Sequence, residues 1–445
     1  MEKVVVIGGG AGGMTSATQI KRKDPPKKVM VFDKGNYVSW AGCPTPYYIA
    51  DELPEKAVIH YTPEYFRENR KIDVFVRHEV KEISFEDRKV YVEGETLNGW
   101  IGYDYLVLAP GGKPIIPPID GLDKKGVFKL SHVEDAFAIK KYIKEESPKR
   151  ALVIGGGVLG LEMVESFATL GMKVTVVERL PMILPFLTER QRAYVVDSMK
   201  SHGVEILTDN TVVSIFGKEK IEAVETEDGQ RIDADILLIG IGVRPNTEFL
   251  KKSGFKLSTK DAIDVNEYME TYISGIYAAG DSVLVNHMLT GKKVLAPLGD
   301  VADKEGLVVG TNIAGGHMRF EGIVGTGITK VFEWQVARTG LTLNEARENG
   351  YQDAKEVFVK GYHKHPGFGV KGSTFNVVFD EKRRIFLGAF AVGESCVAQF
   401  IDTFATFISL KIPIEKVFTV DYAYCPATST VWNPLLAAYR KITKS

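Results

Sequence analysis

Short β-branched runs broken by glycines set the rhythm of the first half of this chain. Residues 3–7 (Lys-Val-Val-Val-Ile) read as a parallel strand buried on both faces, and residues 28–32 (Lys-Val-Met-Val-Phe) as its neighbour. Between them, residues 14–23 carry helical spacing. The same order returns in mid-chain, with a strand at 150–154, a helix at 161–170 and a strand at 173–177. From about Gly322 the pattern changes to alternation. The stretch 325–341 opens it, and 357–360, 374–379 and 385–392 predict further strands of an antiparallel sheet. Helices at 343–349 and 397–410 would cover one face of that sheet.

The break after each first strand carries chemistry. Residues 8–13 satisfy G-x-G-x-x-G through Gly8, Gly10 and Gly13. Glycine is needed there because the turn is tight and a pyrophosphate must approach backbone N–H groups at a helix N-terminus. A glycine-rich structural turn would show the same letters, but without the flanking strand, helix and acid. The second strand ends at Asp33, twenty residues after Gly13, where a carboxylate can accept from a ribose hydroxyl. Residues 155–160 repeat the device through Gly155, Gly157 and Gly160, with Glu178 eighteen residues on. Two dinucleotide sites are therefore expected. Glu178 would repel a 2′-phosphate and favour NADH over NADPH, a preference that Arg179 beside it weakens.

Composition changes little in this picture. A chain of 445 residues has room for two to four domains, and a net charge of −1 gives no reason to expect nucleic acid or an anionic membrane as partner. No apolar run approaches the ~20 residues that span a bilayer. The start runs directly into a strand, with no basic region and apolar segment ahead of it, so no cleavable leader is expected. Three cysteines, Cys43, Cys396 and Cys425, are too few and too scattered for a disulfide framework. The expected location is the cytoplasm, and no metal-ligating set is read.

Three further segments bring in a resemblance. They are 103–112 (Tyr-Asp-Tyr-Leu-Val-Leu-Ala-Pro-Gly-Gly), 235–246 (Asp-Ile-Leu-Leu-Ile-Gly-Ile-Gly-Val-Arg-Pro-Asn) and 271–281, which ends Tyr-Ala-Ala-Gly-Asp. With them the chain resembles the two-dinucleotide-domain FAD/NAD(P)H disulfide reductases along nearly its whole length. The resemblance implies an α/β fold of two nested Rossmann-like domains plus a C-terminal α+β dimerisation domain. The FAD-binding domain would take residues 1–112 and 243–321, the NAD(P)H-binding domain 113–242 and the dimerisation domain 322–445. FAD contacts would fall on Gly8, Gly10, Ala11, Gly13, Asp33, Lys34, Ala109, Gly111, Asp281 and Ala302. NAD(P)H contacts would fall on Gly155, Gly157, Val158, Gly160, Glu162, Glu178 and Gly242. One departure is Pro110, where the family usually has Thr; proline brings neither hydroxyl nor N–H.

The stretch 39–48 (Ser-Trp-Ala-Gly-Cys-Pro-Thr-Pro-Tyr-Tyr) holds the candidate reactive thiol, Cys43. Dithiol relatives carry a second cysteine five positions on, where this chain has Tyr48. A lone cysteine is usually a buried structural residue. Pro44, Pro46 and the aromatic pair after them do not suit an ordinary helix interior. A helix beginning just after Cys43 is expected to lower the thiol pKa through its dipole. Two chemistries then compete: a sulfenic acid that reduces peroxide or oxygen, and a mixed disulfide with a small thiol. Peroxidase and water-forming oxidase relatives carry a histidine where this chain has Ala11, which counts against the first.

The motif resembles the coenzyme A disulfide reductase branch, which includes the NAD(P)H-dependent sulfur reductases. That resemblance implies contacts from Gln19, Arg22, Ser39 and Lys71 to the ADP part of coenzyme A. The branch has Asn where this chain has Gly42. The segment 421–434 resembles one that reaches across a homodimer to the partner's sulfur, with Tyr424 matching a tyrosine thought to protonate the leaving thiolate. His365 stands where a second family tyrosine is expected, in 362–367. Cys425, beside Tyr424, is either a resolving thiol for Cys43 or a small buried residue beside Pro426; Cys396 is expected to be structural. The implied activity passes electrons from NAD(P)H through FAD and Cys43 to coenzyme A disulfide, coenzyme A persulfide or polysulfide. The alternatives are an NADH oxidase or peroxidase using a Cys43 sulfenate, and a reductase for a protein electron carrier.

Overall fold

A computed structural model describes residues 1–370 and 372–444. The first βαβ unit forms at the expected strands, Lys3–Ile7 and Lys28–Phe32, which run parallel with Val4 opposite Val29 and Ile7 opposite Phe32. Their sheet is five-stranded, in the order Ile276–Ala278, Tyr105–Leu108, Lys3–Ile7, Lys28–Phe32, Asp73–Phe75. Residues far apart in the chain thus complete one sheet, as the nested reading requires. The second unit forms a matching sheet in the order Glu205–Leu207, Lys173–Val177, Arg150–Ile154, Ile236–Ile239, Val127–Lys129. Both central strands are buried, because parallel strands covered by helices on two faces leave no wet side.

The helices after the glycine loops start earlier than the apolar spacing indicated. Helix α1 spans Ala11–Lys23, and Gly12 and Gly13 lie inside its first turn. Its counterpart spans Val158–Thr169. The loops therefore feed straight into helix, which aims the first N–H groups of each at the space above the sheet.

Antiparallel pairing dominates the C-terminal region, in the strand order Gly327–Val331, Trp334–Gly340, Ile385–Gly393, Ser373–Asp380, Ala354–Gly361. The helix Val397–Ser409 packs Phe404 against Phe375 and Phe386. A short linker joins the two nucleotide units: Gly112–Pro114 pairs antiparallel with Val243–Pro245. Pro110 sits at its mouth, and its carbonyl accepts from the Asn246 side-chain amide at 3.2 Å. Among the described residues, no helix is long and apolar enough to cross a membrane.

The two loops are built on positions where only glycine fits. Gly8 has φ +103°, and a Cβ there would lie 1.9 Å from the Ala109 carbonyl oxygen; Gly155 has φ +110°, with the Gly240 oxygen 2.5 Å away. Gly8→Ala is expected to give protein purified with most of its flavin absorbance lost. Gly155→Ala should keep the flavin but lose its reduction by NAD(P)H. A Gly8→Ala protein with full flavin content would contradict this account.

Candidate functional site

Cys43 lies just ahead of the helix Thr45–Ile49, which has Pro44 at its N-cap and only five residues. Side chains from the mid-chain unit hold this helix in place. Ser166 Oγ donates to the Pro46 carbonyl at 3.0 Å, and Lys140 Nζ donates to the Tyr48 carbonyl at 2.6 Å. The Lys140 ammonium also sits 4.0 Å from the Tyr48 ring centroid, and Tyr48 meets Phe137 edge-on. The thiol therefore stands where the two nucleotide units and the C-terminal sheet meet.

The expected activation of the thiol by its helix is not what the structure shows. Cys43 is open to solvent on one side, but the crowding behind it pushes the thiol pKa up. The Glu162 carboxylate adds to this, and Asp300 and Asp281 act in the same direction from farther off. One turn of helix has too small a dipole to offset burial and three carboxylates. Tyr47, two residues after Pro44's neighbour Thr45, is pushed up to about 12 by burial and then by Glu162 and Glu165.

Glu162 and Glu165 belong to the helix Val158–Thr169 and reach the C-terminal sheet. Thr329 Oγ1 donates to Glu162 Oε1 at 2.8 Å, the Phe332 N–H donates to Glu165 Oε2 at 2.8 Å, and Lys330 pairs with Glu165. Burial, and to a lesser degree Glu165, raises the Glu162 pKa against the pull of Thr329.

Both glycine loops present the space a pyrophosphate needs. A Cβ on Gly10 or Gly157 would meet no atom within 4 Å, whereas Cβ atoms on Gly13 and Gly160 would strike their loop's first carbonyl at 2.0 and 1.9 Å. Asp33 accepts from the Gly9 and Gly35 N–H groups, each at 2.7 Å. Glu178 accepts from Gly156 at 2.6 Å and Leu180 at 2.8 Å. Each acid thus first clasps its own loop; a carboxylate has about four acceptor positions, so capacity remains for ribose hydroxyls.

At the far end of the first site, Asp281 is buried enough to raise its pKa despite the N–H bond from Gly112. Ala302 is buried in the helix Gly299–Ile313, but its N–H bonds to the Leu298 carbonyl at 3.0 Å. The unspent N–H groups at that helix start are those of Gly299, Asp300 and Val301. Ala11 opens α1 half-buried, Ala109 lies buried against Gly8, and Lys34 and Val158 are exposed. Gly111 and Gly242 take positive φ in the linker segments. Glycine loops, acids and a free helix start together fit two dinucleotides.

Glu305 was missed by sequence reasoning. It is 2% exposed, its Oε2 accepts from the Gly280 N–H at 2.6 Å, and burial pushes its pKa up to about 8, with a smaller push from Asp281. Its spacing was a usable signal: Val301, Glu305 and Val309 fall on one buried stripe, where an acid is out of place.

The remaining expected residues fall into two groups. Arg22 and Lys71 are exposed, Lys71 at φ +56° with its ammonium on the Glu68 carbonyl at 2.8 Å. Ser39 has φ +53° and its N–H bonds to the Gly9 carbonyl at 2.8 Å, which ties the cysteine segment to the first loop. Gln19 departs from the expected open position. It is 5% exposed and donates to Thr311 Oγ1 at 2.8 Å, so one of its two amide N–H groups is already committed inside the protein. In the C-terminal region the His365 N–H bonds to the Pro426 carbonyl at 2.9 Å, so His365 and the Tyr424–Cys425 segment share one surface. Cys425 is exposed rather than buried beside Pro426, and Tyr424 is 58% exposed. Cys396 is half-buried at φ +56°, capping the helix Val397–Ser409. All three cysteines are free, and among the described residues no cluster of His, Cys, Asp and Glu would hold a metal.

The pattern of the pyridine nucleotide-disulphide oxidoreductases matches residues 2–306, and that of their dimerisation domain matches residues 326–434. The chain belongs to this FAD-dependent family. The NAD(P)H sulfur oxidoreductase (CoA-dependent) of Pyrococcus furiosus is 37% identical over 445 residues, 99% of this chain and 98% of the relative. The coenzyme A disulfide reductase of Staphylococcus haemolyticus is 30% identical over 96% of each chain. Relatives in this range also include one named NADH oxidase. Among solved structures, an NAD-dependent persulfide reductase from A. fulgidus superposes with a TM-score of 0.94 at 32% identity, covering 99% of this chain and 83% of that one. Members of the family use FAD and a pyridine nucleotide, and this chain carries the family's dimerisation domain.

Two pH-dependent outcomes follow from these carboxylates. Removing the Glu162 charge removes a group that disfavours the thiolate. Glu162→Gln should therefore shift the rate of Cys43 alkylation by iodoacetamide toward lower pH, and an unchanged profile would exclude the coupling. Glu305 keeps its proton in the folded chain at pH values where the unfolded chain has released it. The stability it permits below the ordinary carboxylate range is lost as pH rises toward about 8. In Glu305→Gln, thermal midpoints measured across that window should fall less with rising pH than in the unaltered protein.

Proposed function

We propose that this enzyme reduces coenzyme A disulfide, coenzyme A persulfide or a related polysulfide at Cys43, with electrons from NAD(P)H. The observation that carries the reading is the placement of one exposed thiol, with no second cysteine in its segment, where the two dinucleotide units and the C-terminal sheet converge. The names of the relatives support a sulfur or disulfide acceptor that involves coenzyme A.

In this reading the Cys43 thiolate attacks one sulfur of the substrate. The substrate S–S bond breaks, a Cys43–S–S–R mixed disulfide forms, and the other sulfur leaves as a thiolate. That thiolate takes a proton from Tyr424, whose phenol stands exposed on the segment tied to His365. FAD and NAD(P)H, when bound, supply the electron pair that returns the mixed disulfide to thiolate and free thiol. Gly8, Gly10, Gly13, Asp33 and Asp281 would hold the flavin nucleotide, and Gly155, Gly157, Gly160 and Glu178 the nicotinamide nucleotide. Glu162, fixed by Thr329 and beside the thiol, would line the face between nicotinamide and sulfur. Arg22 and Lys71 would meet the phosphates of coenzyme A.

The exposed C-terminal surface supports a homodimer in which this segment reaches the partner's Cys43. Phe418, Val431 and Trp432 are exposed there. Free thiols suit a reducing compartment, and we place the enzyme in the cytoplasm. A sulfenate oxidase is the second reading, favoured by the relative named NADH oxidase. Against it, Ala11 brings no proton donor to the first loop.

Cys43→Ser should lower NADH-dependent reduction of coenzyme A disulfide by at least about a thousandfold, since the nucleophile is removed. Reduction of ferricyanide, which needs only flavin and nucleotide, should persist. In the unaltered, unreduced protein, intact mass should show a coenzyme A adduct that dithiothreitol removes. An oxygen adduct on Cys43 would instead favour the oxidase reading.

A further inference from the structure

The strand Gly327–Val331 opens the dimerisation domain, and its end is tied to the helix Val158–Thr169 of the mid-chain unit through Thr329, Lys330 and the Phe332 N–H. Thr329 is 6% exposed, on the buried side of its strand with Val331. Its single hydroxyl proton has two acceptors in reach, Glu162 Oε1 at 2.8 Å and the Lys330 carbonyl at 3.5 Å. The shorter bond, to a carboxylate, is the stronger and takes the proton. The Lys330 ammonium goes to Glu165 instead. Thr329 thus favours the charged form of Glu162, which burial and Glu165 oppose.

The same helix turn carries this tie to the sulfur. Ser166 Oγ lies 2.9 Å from the Glu162 carbonyl and donates to the Pro46 carbonyl at 3.0 Å, so Glu162 sits one turn from the contact that seats the cysteine segment. Of the charges that act on the Cys43 thiol, that of Glu162 weighs most. The other ionisable groups around the pair are Glu165 on the same helix, Lys330 on the strand and Tyr47 on the cysteine segment. Glu52 acts on Tyr47, and Asp300 and Asp281 act on Cys43 from the first unit.

We propose that Thr329 is a positioning residue for the reactive thiol: its hydroxyl holds Glu162 as a charged carboxylate beside Cys43, so that the dimerisation domain restrains the thiolate of its own chain. This rests on the reading of Cys43 as the nucleophile. Where Glu162 is charged, forming the thiolate places a second negative charge beside it; where Glu162 is protonated, that cost is absent. Thr329 sets the pH at which the first condition replaces the second.

Alkylation of Cys43 by iodoacetamide in the holoenzyme reads this out, followed by peptide mass so that Cys396 and Cys425 do not contribute. The rate for the unaltered enzyme, divided by that for Glu162→Gln, should fall as pH rises through the ionisation of Glu162. For Thr329→Val, and likewise Thr329→Ala, the same ratio should fall about one pH unit higher, because the donor to the carboxylate is gone. Between the two falls these variants should alkylate several-fold faster than the unaltered enzyme, and at high pH all should match. Thr329→Ser keeps the hydroxyl and should follow the unaltered enzyme. Thr329→Val added to Glu162→Gln should change nothing further. A fall at unchanged pH in both Thr329→Val and Thr329→Ala, an equal displacement in Thr329→Ser, or a further effect in the Glu162→Gln background would overturn the proposal. So would a ratio that never falls, since Glu162 would then not act on the sulfur. Alkylation needs no disulfide substrate, so an unaltered enzyme unable to reduce coenzyme A disulfide would sink the coenzyme A reading and leave these outcomes as they stand.

Discussion

The geometry of this enzyme hangs on one buried joint, where the short helix after Cys43 is clamped by the mid-chain unit. Tyr48, Ile49 and Val58 belong to the same hydrophobic cluster as Val164 and Phe167 on one side and Trp334 and Phe390 on the other. Two polar ties, from Ser166 and Lys140 to the carbonyls of Pro46 and Tyr48, add a second donor to carbonyls that already accept from the Ala50 and Asp51 N–H groups, and so pin the five-residue helix to the mid-chain unit. Burial at such a joint is cooperative: loosening any one of the three units opens water onto the others. The reactive sulfur is thereby fixed with respect to residues more than a hundred positions away.

Electrostatics in the cleft run against the sulfur. Burial disfavours the thiolate most, and Glu162, Asp300 and Asp281 add to it. The surroundings of the thiol thus hold its pKa above the ordinary cysteine value. Glu305, buried beside Gly280, continues the same theme deeper in the first site.

The two dinucleotide units use one physical device twice. In each, a positive-φ glycine turns the chain beneath a carbonyl, an open glycine leaves space, and an acid at the end of the second strand binds the loop's own N–H groups. The acids therefore do structural service before any ribose arrives. Loss of Asp33 or Glu178 would loosen the loop as well as remove a ligand contact.

Local patterning was enough to reveal both βαβ units, the alternating C-terminal strands and the two glycine loops. Strand positions are dictated by β-branched runs, and Lys3–Ile7, Lys28–Phe32, Arg150–Ile154 and Lys173–Val177 form where those runs lie. Helix starts were less legible, since Gly12 and Gly13 have poor helix propensity and become helical only through packing on the sheet. The sulfur was legible as a candidate, but not its ionisation. The pKa of Cys43 depends first on its burial and then on Glu162, Asp300 and Asp281, which only the fold brings near it. Burial of Gln19 and exposure of Cys425 were likewise decided in three dimensions. Short-range steric and hydrophobic preferences are written along the chain, whereas desolvation and charge–charge coupling depend on distances that exist only once distant segments have packed.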